Sequence, residues 1–289
     1  MTAIREMLRG MAMQEDLNFL LTNRLPRRAL TRIVGRLSRI ENPLVYALGM
    51  RLWRTFGDLD LSDAEHTRFR SLHACFTRAL RPGARPLDRD PAVIVSPCDA
   101  IVGASGRVTR GLALQAKGSS YPVHDLLRDP ALVERYEGGT YVTLRLTAGM
   151  YHRFHAPCDG RLRRVTYVSG DTWNVNPIAL ERVERLFCRN ERAVLEYDGA
   201  DGLPLVLVPV AAILVASIRL HALDVRLHLK YRGPNTMDCD ASYRKGDELG
   251  WFEHGSTIIV FAPPGVSALS SRPAGSGVRM GEALLRRES

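Results

Sequence analysis

Leu249-Gly250-Trp251-Phe252-Glu253-His254-Gly255-Ser256-Thr257-Ile258-Ile259-Val260 decides how this chain reads. A Gly-Ser-Thr step separates an aromatic-containing stretch from a β-branched apolar one, the pattern of two strands joined at a turn. A tight turn is the plain explanation. The other is chemical: a serine after a flexible glycine is placed to attack the carbonyl just before it, cutting the chain and becoming a new N-terminus. What the rest of the chain supplies decides between them.

Working outward, short β-branched runs surround this stretch. They are Val93–Val95, Ala100–Val102, Tyr141–Leu144, Leu205–Val208, Ala212–Ile218 and Thr257–Phe261, separated by Gly, Pro and Asp. Short helices are predicted at Val123–Leu127 and Pro177–Leu186, and a longer one over about Asp63–Arg78. Arg81–Pro91 reads as an extended connector. The tail from Pro263 to Gly277 reads as loop, with a closing segment near Val278–Leu285. Residues 1 to about 56 read as helical, broken near Pro26 and Pro43. The expectation is an α+β fold: N-terminal amphipathic helices over residues 1–60, then a β-rich domain of mostly antiparallel short strands over 61–289.

Net charge is +9, and arginine carries most of it. This favours an anionic partner, nucleic acid or anionic lipid, because arginine forks bind phosphate and carboxylate bidentately. Over residues 1–55, ten arginines face only Glu6, Glu15, Asp16 and Glu41. Leu30, Ile33, Val34 and Leu37 recur at helical spacing among them, and Tyr46 and Trp53 follow. That pattern fits a helix lying in a membrane interface, and equally an ordinary surface helix packed on its own domain. No apolar run is long enough to span a bilayer. Cys75, Cys98, Cys158, Cys188 and Cys239 form no CxxC pair, which argues against a zinc ribbon or a secreted disulfide framework and for a reducing cytosolic setting.

Four constellations carry polar chemistry. Asp99, in Ser96-Pro97-Cys98-Asp99, taken alone is a turn residue or cap. Tyr151-His152-Arg153-Phe154-His155-Ala156-Pro157-Cys158-Asp159-Gly160 is the densest cluster. Its two histidines fit no zinc spacing even with Cys158 and Asp159, so no metal is expected. In an extended segment they point to opposite faces, one towards a backbone serine and the other towards a substrate, or both are structural. Gly255-Ser256 is the third. Gln115-Ala116-Lys117-Gly118 with Tyr121 is the fourth, a headgroup contact or simply a hairpin.

Taken in order, these pieces resemble the phosphatidylserine decarboxylases, a pyruvoyl-dependent family. The match runs from Phe76-x-Arg78-x-Leu80 and Arg85-Pro86-x-Asp88 through Pro97-Cys98-Asp99, Gln115–Gly118 and Tyr151–Gly160. It continues through Val175-Asn176-Pro177, Asn190-Glu191-Arg192 and Val215-Ala216-Ser217-Ile218 to Lys245-Gly246-x-Glu248-x-Gly250-x-Phe252-x-x-Gly255-Ser256-Thr257. The resemblance implies that Ser256, with His155 as base and Asp99 orienting it, cuts the chain after Gly255. A large chain (1–255) and a small chain (256–289) would result, paired as a heterodimer that could dimerise further, with Ser256 converted to a pyruvoyl cofactor. It implies decarboxylation of phosphatidylserine to phosphatidylethanolamine through a Schiff base, with His152 returning a proton.

The implied setting is peripheral, on the cytoplasmic face of the cell membrane. The substrate would be an anionic phospholipid, with no nucleic acid partner, and the basic helices would reach the bilayer surface. Departures from the family pattern are His254, where Leu or Gly is common, and Ala211 and Ala216 in place of glycine. The alternatives are a pyruvoyl decarboxylase of another seryl lipid or a free amino acid, a member that never cleaves, or a non-enzymatic basic anion-binding domain.

Overall fold

The run Thr257–Phe261 lies inside strand β14 (Ser256–Ala262), which is buried along its whole length. In the computed structural model, residues 27–56, 59–116, 119–213, 217–228, 231–253 and 256–288 are described. Helices α1 (Arg27–Leu37) and α2 (Pro43–Phe56) come first, then the short α3 (Leu72–Phe76). Strands β1 (Val93–Val95), β2 (Ala100–Arg107), β3 (Leu112–Ala116) and β4 (Ser119–Pro122) lead to helices α4 (Val123–Leu127) and α5 (Pro130–Tyr136). Next come β5 (Thr140–Leu146), β6 (Arg153–His155) and β7 (Gly160–Val168), then α6 (Pro177–Arg182) and α7 (Leu186–Arg189). Strands β8 (Arg192–Gly199), β9 (Pro204–Ala211), β10 (Ser217–Leu220), β11 (Val225–His228), β12 (Thr236–Tyr243) and β13 (Glu248–Phe252) precede β14. Strands β15 (Val266–Ala268), β16 (Gly277–Val278) and β17 (Ala283–Arg287) close the chain.

The main sheet runs β12-β7-β8-β9-β14-β5-β2-β16, and every ladder between these strands is antiparallel. It is apolar on both faces. Ile258, Val260 and Ala262 of β14 enter one core, and Ile259 and Phe261 enter the other. Strand β9 alternates in the same way, with Leu205 and Leu207 against Val206 and Val208. A sheet covered on both sides reads as a continuous apolar run rather than as alternation, which is why these stretches stood out in the sequence. The first face is covered by the sheets β11-β10-β13-β6 and β1-β17-β15, through residues such as Phe154, Phe252, Leu284 and Leu285. The second is covered by α4–α7 and the β3-β4 hairpin, through Tyr121, Leu126, Tyr136 and Phe187.

The expected α+β architecture is therefore present, with four corrections. The helix expected over Pro177–Leu186 is two short ones, α6 and α7, and the tail expected as loop over Pro263–Gly277 carries strand β15. The helix expected over Asp63–Arg78 reduces to the five residues of α3. Around it the chain pairs across, not along: Glu65 N–H donates to Ala79 O and Arg81 N–H to Asp63 O, so these donors do not serve an i→i−4 helix. The run Ala212–Ile218 is not one strand either. Strand β9 ends at Ala211 and β10 starts at Ser217 in a different sheet. Residues 1–26 of the expected helical region, and Lys117, Gly118, Val215, Ala216, His254 and Gly255, lie outside the described residues.

Helix α2 begins at Pro43 after Asn42, whose Oδ1 accepts from Leu44 N and Val45 N, a cap followed by proline at the first helical position. It packs inward through Met50 and through Trp53, which stacks on Phe76 at 5.8 Å. Outward it presents Leu44, Leu48 and Leu52, four residues apart and so on one stripe. Among the described residues no helix is long and apolar enough to cross a membrane.

Candidate active site

The chain changes sheets between β13 and β14, and Ser256 is the first residue after the change. Its backbone is locked on both sides, opposite Leu146 of β5 and Ala211 of β9. Alternation along β14 puts its side chain on the same face as Ile258 and Val260, the face covered by β6 and β13. There it is fully buried beside Leu146 and the Ala211 methyl, and its Oγ has no hydrogen-bond partner among the described residues. An unsatisfied buried hydroxyl costs about 1–3 kcal/mol, a state that Ser256 shares with the Thr143 and Thr257 hydroxyls.

His155 ends β6 in that covering layer, opposite Glu248 of β13. Its N–H donates to Pro97 O at 2.8 Å, which brings the Asp99 loop alongside. Its Nδ1 lies 2.8 Å from Gly246 O, and a carbonyl can only accept, so Nδ1 carries the proton. Nε2 then holds the lone pair and accepts from the Tyr151 hydroxyl at 3.0 Å. Burial pushes the His155 pKa below the usual histidine range, with the Gly246 contact opposing only in part, so the ring is neutral at pH 7. Burial also pushes the Tyr151 hydroxyl well up, so it stays a donor.

Asp99, just before β2, makes no hydrogen bond to His155. Its Oδ1 accepts from Met280 N–H and Arg85 Nε, both at 2.9 Å, and its Oδ2 accepts from Arg85 Nη2 at 2.6 Å. Arg85 also holds Asp63 at 2.8 Å. The tautomer of His155 is thus set by Gly246 O, not by Asp99. Arg85, Asp99 and Tyr151 line a pocket of about 380 Å³ together with Arg78, Met150 and Arg279. Thr147, directly after the ladder partner of Ser256, lines it too, so the pocket opens next to the start of β14.

His152 is fully buried in the same layer. Its Nδ1 donates to Met150 O at 2.9 Å, its carbonyl accepts from Phe252 N–H, and its ring lies 3.9 Å from that of Phe76. With Trp53 on the far side of Phe76, an aromatic stack runs from α2 to His152.

The family model described as phosphatidylserine decarboxylase matches residues 72–286. This chain belongs to the phosphatidylserine decarboxylase family. Relatives named phosphatidylserine decarboxylase proenzyme cover nearly its whole length. One from Halorhodospira halophila is 41% identical over 91% of this chain and 91% of its own. Another from Pseudomonas fluorescens is 38% identical over 90% and 93%, and one from Vibrio cholerae 36% identical over 89% and 94%.

Against that family background, several motif residues prove structural. Gln115 donates to Leu180 O and Val183 O and accepts from Leu186 N–H, so it ties the β3-β4 hairpin to α6 and α7. Arg192 spends its guanidinium on the carbonyls of Leu126, Cys188, Asn190 and Asp125. Asn190 holds Ala211 O, bracing the strand beside Ser256. Asp159 accepts from Lys245 N–H, and no metal-sized cluster of His, Cys, Asp or Glu occurs among the described residues. Gly250 is required by packing: a Cβ there would sit 1.9 Å from Arg219 O, so no side chain fits. Sequence reasoning gave no role to Tyr151, Arg85 or Gly246, although all three lie within the quoted motifs. It missed Asp63 because that residue was assigned to a helix.

Proposed function

We propose that this chain is a proenzyme that cuts itself between Gly255 and Ser256 and then decarboxylates phosphatidylserine to phosphatidylethanolamine and carbon dioxide. One observation carries the reading: Ser256 Oγ is buried and unpartnered among the described residues, at the first residue of a strand clamped on both sides, on the face covered by the sheet of β6 and β13. In the cut, Ser256 Oγ attacks the Gly255 carbonyl while neutral His155 takes the hydroxyl proton at Nε2, the Tyr151 hydroxyl that occupies that lone pair turning aside. Asp99 assists through charge, favouring the imidazolium. The peptide nitrogen leaves, giving an ester at Ser256. Loss of the Ser256 α-proton expels Gly255 as a carboxylate and leaves dehydroalanine, which water converts to a pyruvoyl group with release of ammonia.

The site fits that group, because the backbone of Ser256 stays held by Leu146 and Ala211 after the cut. The small chain, 256–289, would keep β14–β17. Ladders of β14 with β5 and β9, of β16 with β2 and of β17 with β1 would bind it to the large chain. When formed, the pyruvoyl group supplies the electron sink for loss of carbon dioxide. His152, its Nδ1 donating to Met150 O, would first take up a proton at Nε2 and, as the imidazolium, return it to the α-carbon. The pocket beside Tyr151 receives the headgroup, with Arg279 on its lining facing the phosphate. The exposed stripe Leu44, Leu48 and Leu52, flanked by Arg51 and Arg54, lies on the bilayer surface, and the chain is peripheral to the cytoplasmic membrane face.

Intact mass and N-terminal sequencing of the purified protein test the cut. Two chains near 28 and 4 kDa are expected from the 32.2 kDa chain, the smaller blocked to sequencing. Carbon dioxide should be released from phosphatidylserine vesicles. A single uncut chain without this activity would overturn the proposal.

A further inference from the structure

A second buried carboxylate stands three residues upstream of Ser256. The Glu253 side chain is only 7% exposed, yet four groups from distant parts of the chain converge on it. Its Oε2 accepts from Ser217 Oγ at 2.5 Å and from Arg39 Nη2 at 2.6 Å. His73 Nε2 and Arg226 Nη1 each lie 3.8 Å from a carboxylate oxygen. Its backbone N–H donates to Ser217 O. Burial alone would raise the Glu253 pKa, but the Ser217 hydroxyl and the Arg39 charge outweigh it and hold the group ionised, below the usual glutamate range.

Two of these partners come from outside the β-layers. Arg39 follows α1, and its other nitrogen, Nη1, donates to Gly35 O within that helix. His73 lies on α3, and its N–H donates to Ser38 O. Glu253 is therefore the point at which the basic N-terminal segment fastens onto the end of β13. Only two residues separate it from Ser256, a span of no more than about 11 Å at roughly 3.3–3.6 Å per residue. Ser256 is fixed at the downstream end by its two ladders. These two anchors bracket the scissile bond in the sequence, and attack rates depend steeply on the alignment of nucleophile and carbonyl.

We infer that Glu253 is a positioning residue for self-cleavage, and that Arg39 is the cation that locks it, so that the N-terminal helical segment takes part in setting the cleavage geometry. This rests on the self-cleavage proposed above.

The test follows conversion of freshly translated full-length chain into two bands on a denaturing gel, beside the melting temperature of each variant. Glu253→Gln and Arg39→Met should each slow cleavage about five- to tenfold, since each removes the charge that fixes one anchor. Arg39→Lys, which keeps the cation, should cleave within about twofold of the parent, and the Arg39→Met/Glu253→Gln double variant should be no slower than its slower single, as for partners in one interaction. Cleavage of Glu253→Gln at the parent rate would overturn the inference, as would slowing that follows a fallen melting temperature and is not rescued by Arg39→Lys. If Glu253→Gln does not fold, the Arg39→Met and Arg39→Lys pair decides alone, because Arg39 is half-exposed. A parent chain that never cleaves would overturn the proposed function instead.

Discussion

Strand β14 buries all seven of its residues, whereas helix α2, also built from large apolar side chains, leaves Leu44, Leu48 and Leu52 61–80% exposed. The strand's apolar residues are used twice, once on each face, against two separate cores. The helix's are used once, through Met50 and Trp53, and the opposite stripe is left to whatever the helix meets. Apolar content therefore says little by itself about what a segment does. Removing a buried side chain should cost stability, and removing an exposed one should cost association.

The largest effect is expected at the first residue of the strand. Ser256→Ala should leave one uncut 32.2 kDa chain and abolish decarboxylation, read by denaturing gel and carbon dioxide release. Full activity in that variant would break the assignment of Ser256. Next, Phe261→Ala in β14 should lower stability by about 3–5 kcal/mol in thermal or denaturant unfolding. Leu48→Ser on α2 should shift it by no more than about 0.5 kcal/mol. The order of the two should invert for binding to anionic vesicles, where each leucine lost from the stripe removes about 1.5–3 kcal/mol of burial. Vesicle binding untouched by Leu44→Ser, Leu48→Ser and Leu52→Ser together would remove the distinction between the two regions.

The covering layer divides in turn. His155→Ala should block cleavage, and His152→Ala should leave two bands but slow turnover by about 10²–10⁴-fold, the usual scale of general acid–base catalysis. The reverse pattern would exchange their roles. The smallest effect concerns pH. His155 is depressed by burial, so its neutral form is favoured in the fold. The stability this contributes is present above the unfolded value of about 6.5 and is lost as pH falls through the lower folded value. Cleavage should accordingly be flat between about pH 7 and 8 and decline only below the ordinary histidine range. A rate that already falls from pH 8 to 7 would point to a different base.

How much of this was legible beforehand varies with the residue. The strands β9 and β14 could be read because sheets covered on both faces leave unbroken apolar runs. Val123–Leu127 was read at its exact bounds, since Pro122 and the charged residues after Leu127 punctuate it. Asp63–Arg78 misled because helix-compatible composition says nothing of where backbone groups pair, and here Glu65 N–H donates to Ala79 O while Asp63 O accepts from Arg81 N–H. In the site, Ser256, His155, His152 and Asp99 were picked out by motif. The contacts that give them character were not, because Gly246, Arg85 and Met280 lie far from them in sequence.

The sequence by itself determined the α+β class and the apolar strands, because each rests on local patterning that the chain carries with it, whereas the Gly255-Ser256 step, a plain turn by local pattern, stands out only through the order of the motifs around it. Only the tertiary structure decided that Asp99 binds Arg85 rather than His155, that Gly246 O sets the histidine tautomer, and that Arg39 reaches Glu253 across more than two hundred residues. Such pairings are choices among many acids, cations and carbonyls of equal local chemistry, and it is the packing of layers that brings one partner within hydrogen-bond reach and excludes the rest.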